Sequence, residues 1–367
     1  MKRHFTASIS ELVTSMPLLQ RLKLFLKCVS LVLMSGMAGS AAAIEVLRVL
    51  AWPGYADADL VREFEQRTGA KVEVTLVDAD EVLWQKVSHN AATDFDVFAV
   101  NTAELQRYIA AALVVPIDTR AMRNIARQLP RFRDRPSIPG IVHGGETFAI
   151  PYAYAAMGII YDRAQIQTPP QSIDILWDPR YRGKVLAYNG GTHNFSLAAQ
   201  ALGLRRLFGL GAADWPQAVR KLIALRRNAM TFYVQPDESV ALFKSRQAAL
   251  LFANYGSQQV QLLKQAGVDV GYAIPREGAL AWLDCWVITR GARNRLLATA
   301  WIDYLLEAKP SDALVTRQGL ANTTAESPAN RNNDRMVWLE PVEDVGRRNR
   351  LWARIVSGDS EARVLRP

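Results

Sequence analysis

Cysteine is nearly absent from this 367-residue chain: there are two, Cys28 and Cys285. Cys28 lies in a leader expected to be removed, which leaves one thiol and no intrachain disulfide, so stability must come from burial. Histidine is almost as scarce, with four residues, and His89, His143 and His193 have no metal-ligand spacing. Neither a metal nor another cofactor is therefore expected. Beyond the leader no stretch reaches the about twenty apolar residues of a membrane-spanning helix. Internal repeats and low-complexity segments are also missing. The arginines are scattered, with small clusters at residues 131–135 and 347–350 that read as solvated surface, so nucleic acid is not expected as a partner.

The leader itself is well defined. Lys2, Arg3, Arg21, Lys23 and Lys27 precede the apolar run of residues 28–38, which ends in Ala41-Ala42-Ala43, a small-residue cleavage pattern. Residues 1–43 are read as a secretory signal peptide cleaved near Ala43. Its loss removes five basic residues and one acidic one, taking the net charge from +9 to +5. Cys28 follows a Lys, not the small residue that lipid modification requires. The expected product is a soluble, monomeric periplasmic protein.

Half of the residues are hydrophobic, enough for more than one core, and the length favours two lobes. Residues 46–51 form a short β-rich run, and Trp52-Pro-Gly-Tyr55 a turn. Leu60, Val61 and Phe64 then recur at helical spacing, from a cap at Asp57 or Asp59 to a stop at Gly69. Strands are expected at residues 71–77 and 96–100, with helices at 81–91 and 102–112. This alternation points to an α/β lobe with a largely parallel sheet. Further strands are expected at 148–152, running into Pro151, and at 157–161, 184–187, 247–252 and 268–274. Helices are expected at 195–202, 215–227, 256–266 and 345–356.

One stretch is chemically unusual. Residues 278–288, GALAWLDCWVI, set Asp284 among apolar and aromatic neighbours, where a carboxylate is poorly hydrated and requires a partner. Arg276 and Arg290 are several residues away along an extended path. The partner is then a distant side chain, a backbone amide or a ligand; the plainer alternative is a structural Asp satisfied by backbone.

Over roughly residues 46–358 the order of several short motifs resembles a known family. They are Trp52-x-x-Tyr55, Phe64-x-x-x-Thr68-Gly69, Asp96-Val-Phe-Ala-Val100, Ile150-Pro-Tyr152, Leu176-Trp177, Tyr181-x-Gly183-Lys184, Gly256-Ser257, Gln265-Ala-Gly267 and Pro275-x-Glu277-Gly-x-x-x-Trp282-x-Asp284. The pattern resembles the type II periplasmic solute-binding proteins of ABC importers, in their spermidine/putrescine-binding branch. That resemblance implies an α/β fold of two lobes with a ligand cleft between them, closing on a hinge. It implies residues 44–154 and 284–329 in the first lobe and 155–283 and 330–367 in the second. It implies delivery of a small-molecule amine solute to an inner-membrane ABC permease.

The resemblance also assigns a site. Trp52, Tyr55 and Trp282 match aromatic walls and Asp284 an ammonium-binding carboxylate, a pairing in which ring faces and charge both favour a cation. For Trp52 and Tyr55 the alternative is ordinary core packing. Asn101, Thr102, Tyr152, Asn254 and Tyr255 complete the expected lining. The chain departs from the branch where two acids are expected, having Gly190 and His193, and where Asn101, Ala103 and Asn254 replace a Ser, a Tyr and a Trp. Residues 189–194 run into a helix start, so Gly190, Thr192 and a protonated His193 read as an anion cradle, with a plain glycine turn as the alternative. On this reading the solute is polyamine-like, or a zwitterion such as an amino acid or aminophosphonate.

Two rivals are weighed. A thiaminase-like enzyme on the same fold would use Cys285 as nucleophile, but alternation along a strand turns Cys285 away from whatever Asp284 faces. A ferric-ion binder would require adjacent tyrosines, which are absent. The expectation is therefore a binding protein with no catalytic residue.

Overall fold

The computed structural model describes residues 44–327 and 335–366. The leader lies outside the described residues. Two sheets organise the chain from residue 46 onward. The first runs, edge to edge, through Ala321–Asn322, Ile150–Met157, Ala279–Thr289, Val97–Asn101, Val46–Ala51 and Lys71–Leu76, and two short strands also pair with Ala279–Thr289. The second runs through Ala229–Tyr233, Val185–Tyr188, Leu250–Phe252, Ile159–Asp162 and Val270–Ala273.

Neither sheet is largely parallel, which corrects the expectation. Val46–Ala51 lies parallel to both of its neighbours, but Ala279–Thr289 is antiparallel to Val97–Asn101 and to Ile150–Met157. In the second sheet the Leu250–Phe252 strand is parallel on one side and antiparallel on the other. The cause is the path of the chain. It leaves the first sheet along Ile150–Met157, turns at Gly158 into Ile159–Asp162 of the second, and returns from Val270–Ala273 into Ala279–Thr289. The outgoing and returning strands pair with each other, Leu280 opposite Met157 and Asp284 opposite Ala153. Gly158 has to be glycine there: a Cβ would stand 2.7 Å from the Tyr272 ring, whose hydroxyl accepts the Gly158 N–H at 3.3 Å.

The strand expected at 148–152 starts at Ile150 and continues past Pro151. The strand carries it and runs to Met157, because the register skips between Asp284 and Cys285 and leaves Tyr152 as an extra residue. The carbonyl of Pro151 is satisfied by Gln128 at 2.6 Å and Thr323 at 3.1 Å.

The local elements follow from the sequence in most places. The Ala58–Thr68 helix buries Leu60 and Phe64, follows Asp57 and ends at a left-handed Gly69. Its face packs against Trp301 and Tyr304 of the Arg295–Leu305 helix, with ring centroids 5.1 and 5.5 Å from Phe64. Full burial of each such side chain is worth about 1.5–3 kcal/mol. The tail helix, Val345–Val356, has the bounds that its apolar spacing gives. Helices Pro236–Ser245, Arg295–Leu305 and Ala308–Gln318 and strand Ala229–Tyr233 occupy stretches where the sequence reading sets no element.

Arg348 corrects another expectation, since the cluster at 347–350 is not all solvated. It is fully buried and gives its donors to Glu343 through Nε and Nη2, to the Thr192 carbonyl and Ser196 hydroxyl through Nη1, and to the Leu207 carbonyl through Nη2. A buried guanidinium is tolerable only with its donors filled in this way. Here that bonding ties the tail helix to the Gly191–Ala201 helix.

Candidate functional site

Alternation along Ala279–Thr289 puts Trp282, Asp284 and Trp286 on one face and Leu283, Cys285 and Val287 on the other. Trp286 enters the core under the Ala58–Thr68 and Arg295–Leu305 helices, while Leu283, Cys285 and Val287 enter the core on the opposite side. Asp284 is 8% exposed. Its distant partner is Tyr55, whose hydroxyl donates to Oδ2 at 2.6 Å. Burial pushes the Asp284 carboxyl up to about 7, and the Tyr55 hydrogen bond opposes that rise only in part. Among the described residues no Lys, Arg or His forms an ion pair with it.

Tyr55 is placed differently from the aromatic wall that the motif implies. It is 2% exposed and its ring is packed edge-on to Tyr152 at 5.2 Å and tilted to Trp286 at 6.4 Å. What it offers the cleft is its hydroxyl. Tyr152 is equally buried, within the same aromatic cluster. Trp52, at the carboxyl end of the first strand, and Trp282 keep partial exposure. Trp282 packs against the cores of both sheets, and its Nε1 donates to the Asn254 carbonyl at 3.0 Å, so this ring spans the two halves.

Sequence reasoning missed a second carboxylate. Asn101 lies directly opposite Asp284 in the register of adjacent strands, caps the Thr102–Ala110 helix through its Oδ1, and donates from Nδ2 to Asp80 at 3.2 Å. Asp80 opens the Asp80–Ser88 helix just past the carboxyl end of Lys71–Leu76, where α/β sheets place their ligands. That position was the available signal. Burial raises the Asp80 carboxyl to about 7, aided by repulsion from Glu104 and Asp284 and opposed by Arg107. Arg107 is engaged elsewhere: it pairs with Glu104 at 2.8 Å, stacks on Trp84, and holds the Asp80 carbonyl at 2.9 Å. Thr102 turns toward the tail, its hydroxyl 3.5 Å from the Leu339 carbonyl.

The opposite wall comes from the second sheet. Tyr188 ends its strand and stacks near His193 at 5.4 Å and Tyr255 at 6.2 Å; burial raises the pKa of both tyrosines, and the Asp80 charge adds to it. Tyr255 is held by its bond to the Val234 carbonyl at 2.8 Å. Asn254 is 5% exposed and its side-chain Oδ1 has no hydrogen-bond partner among the described residues.

The expected anion cradle is corrected in three ways. The helix begins at Gly191 and not near Phe195, so Thr192 and His193 lie inside its first turn and not before it. His193 is not protonated at neutral pH: loss of solvation, with the Arg348 charge adding to it, brings its pKa down to about 4. The helix start also abuts the tail helix, and a Cβ on Gly191 would stand 2.7 Å from Asn349 Oδ1 and 2.8 Å from the Arg348 carbonyl. Gly190 is required by the Tyr188 ring, which a Cβ would meet at 2.5 Å. Among the described residues the buried polar atoms left without partners include the acceptors Asn254 Oδ1 and Asn194 Oδ1 and the donors Trp52 Nε1, Trp286 Nε1 and Arg107 Nε, so they favour neither charge by themselves. Cys285 is buried, and burial pushes its thiol well up, the reverse of an activated nucleophile.

A separate crevice, lined by Phe208, Glu277, Arg335 and Pro341 among others, contains none of these residues.

Comparison with known proteins places this geometry. The family model described as bacterial extracellular solute-binding protein matches residues 59–337. The putrescine/cadaverine-binding protein of Pseudomonas aeruginosa is 22% identical over 353 residues, 88% of this chain and 96% of that protein. The putrescine-binding periplasmic protein PotF of Escherichia coli is 27% identical over 293 residues, 75% of this chain and 77% of its own. Among solved structures, the spermidine/putrescine substrate-binding protein PotD of Streptococcus pneumoniae superposes with a TM-score of 0.69 at 21% identity, covering 85% of this chain and 98% of that one. The Atu4243-GABA receptor does so at 0.67 and 18%, covering 86% and 99%. At these identities the structures establish the two-lobed α/β fold.

Proposed function

The chain belongs to the bacterial extracellular solute-binding protein family, and on that premise we propose that it captures a small amine-bearing solute between its two sheets and hands it to an inner-membrane ABC permease. The observation that carries this reading is Asp284, a buried carboxylate bonded to Tyr55, with Trp282 on the same face of its strand and no cation paired to it among the described residues. A buried anion of this kind is costly until an opposite charge arrives, so the solute supplies the missing counter-ion. Ring faces add cation–π attraction of about 0.5–2 kcal/mol. The relatives named for putrescine and cadaverine support an amine, and a neutral His193 on the far wall favours a polyamine-like cation over a zwitterion.

The rest of the reading follows the expectations from sequence. The lobes that close are residues 44–154 with 284–329 and 155–283 with 330–367, moving on the paired crossing strands. The protein works in the periplasm as a monomer after cleavage near Ala43, and it acts by binding and not by chemistry at Cys285. A calorimetric screen of diamines, polyamines, amino acids and aminophosphonates tests the reading. Saturable binding of an amine that Asp284→Asn abolishes supports it; amine binding untouched by that change overturns it.

A further inference from the structure

Asp80 is an acidic group near Asp284 that the motif pattern assigns to nothing. Its backbone and side chain are both fixed: Arg107 holds the carbonyl at 2.9 Å and Asn101 holds the carboxylate at 3.2 Å. Asn101 is in turn fixed, as a helix cap and as the strand partner of Asp284. Residues directly opposite on adjacent antiparallel strands have Cα atoms about 4.5–5.5 Å apart and side chains on one face. Asp80 is thus one hydrogen bond away from the neighbour of Asp284, and the two carboxylates stand on the same side of the cleft within the reach of one small molecule.

Neither has a cation of its own. No ion pair to Asp80 or Asp284 exists among the described residues; Arg107 acts on the Asp80 carboxylate only through space, its guanidinium pairing with Glu104 and Glu81 and lying over the Trp84 ring. Burial raises the Asp80 pKa, and repulsion from Glu104 and then from Asp284 adds to it. The wall facing them, from Tyr188, His193 and Tyr255, is neutral, and the buried Asn254 Oδ1 offers it an unfilled acceptor. A hard divalent cation is a poor fit to this set, because it asks for six or more oxygens where rings supply most of the lining.

We propose that Asp80 is a specificity-determining binding residue: it receives a second ammonium group of the solute while Asp284 receives the first, so the first sheet anchors both charges and the second closes neutral rings over them. This rests on the amine reading of Asp284. It goes further by moving the second anchor from the far wall, where Gly190 and His193 replace acids, to the near one, and by selecting a compact dication over a monoamine. A zwitterion of the same length is disfavoured because its carboxylate would meet Asp80.

Titration calorimetry with 1,4-diaminobutane, butylamine and 4-aminobutanoate, on the wild-type protein and on Asp80→Asn, Asp80→Ala and Asp284→Asn, tests the assignment. The wild type should bind the diamine at least tenfold tighter than butylamine, and 4-aminobutanoate no better than butylamine. Asp80→Asn should weaken the diamine tenfold or more and butylamine far less, removing the preference; Asp80→Ala should repeat this pattern, so that the result does not hang on one variant folding. Equal losses for both amines in the Asp80 variants overturn the proposal, since that is the signature of a general field effect and not of contact with the second charge. No loss for either amine, or a wild-type preference for 4-aminobutanoate, also overturns it. Failure of the underlying reading looks different: diamine affinity that Asp284→Asn leaves unchanged.

Discussion

Replacing Asp284 by Asn should make the protein bind worse and fold better, and the two effects share one cause. In the folded chain the Asp284 carboxyl titrates near 7, against 3.8 for the free side chain. A group whose folded pKa is raised destabilises the fold once it ionises: folding takes up protons between the two values, and stability falls as pH climbs from about 4 through 7. Three units at about 1.36 kcal/mol each amount to at most about 4 kcal/mol at pH 8. Asparagine has nearly the same shape and keeps an oxygen for the Tyr55 hydroxyl, so it removes the charge and little else. At pH 8 the ligand-free variant should therefore melt higher, by on the order of 5–10 °C for a chain of this size. At pH 4 the difference should vanish, because the wild-type carboxyl is protonated there. Binding moves the other way. An ammonium deprived of its buried counter-ion loses roughly 2–5 kcal/mol, a fall in affinity of about thirtyfold or more at about 1.4 kcal/mol per decade. Thermal unfolding by fluorescence at pH 8 and pH 4, with calorimetry using 1,4-diaminobutane at pH 8, measures both halves. A variant no more stable than wild type at pH 8, or a gain that persists undiminished at pH 4, would refute the account of Asp284 as a buried, uncompensated charge.

Other consequences are simpler to check. Trp282→Ala should weaken amine binding by roughly three- to thirtyfold, the loss of one cation–π wall of about 0.5–2 kcal/mol, and calorimetry that finds no change would remove this ring from the site. Native Cys285 should resist a water-soluble thiol reagent and react fully in denaturant, because it is buried and its thiol stays protonated; fast native labelling would contradict that placement. Saturating 1,4-diaminobutane should lower the radius of gyration in small-angle scattering, with the closed form stabilised by about 2.7 kcal/mol at a hundredfold excess over Kd; an unchanged radius counts against hinge closure. Protein recovered from the periplasm should begin at or near Ile44 on N-terminal sequencing, and retention of residues 28–38 would contradict the leader.

Local rules carried much of the fold. Apolar spacing with a capping Asp and a left-handed Gly identifies Ala58–Thr68, and the same spacing gives the tail helix its bounds, because amphipathic periodicity and end signals are written in neighbouring residues. Alternation alone turned Asp284 and Cys285 to opposite faces. The ordered motifs, taken together, pointed to the two-lobed fold. The failures share a physical reason: each was decided by a partner far away in the chain. Pro151 remains within a strand because a register skip opposite Asp284 absorbs it. His193 is neutral because of the burial around it and the charge of Arg348, 155 positions further on, and Arg348 is itself buried by groups that its own helix does not contain. Tyr55 reads as a wall and is a hydrogen-bond donor, since only the packed sheet brings its hydroxyl to Asp284 across 229 residues. Asp80 is the clearest case. In sequence it is one acid among several at a helix start; only the pairing of Asn101 with Asp284 brings it beside that carboxylate.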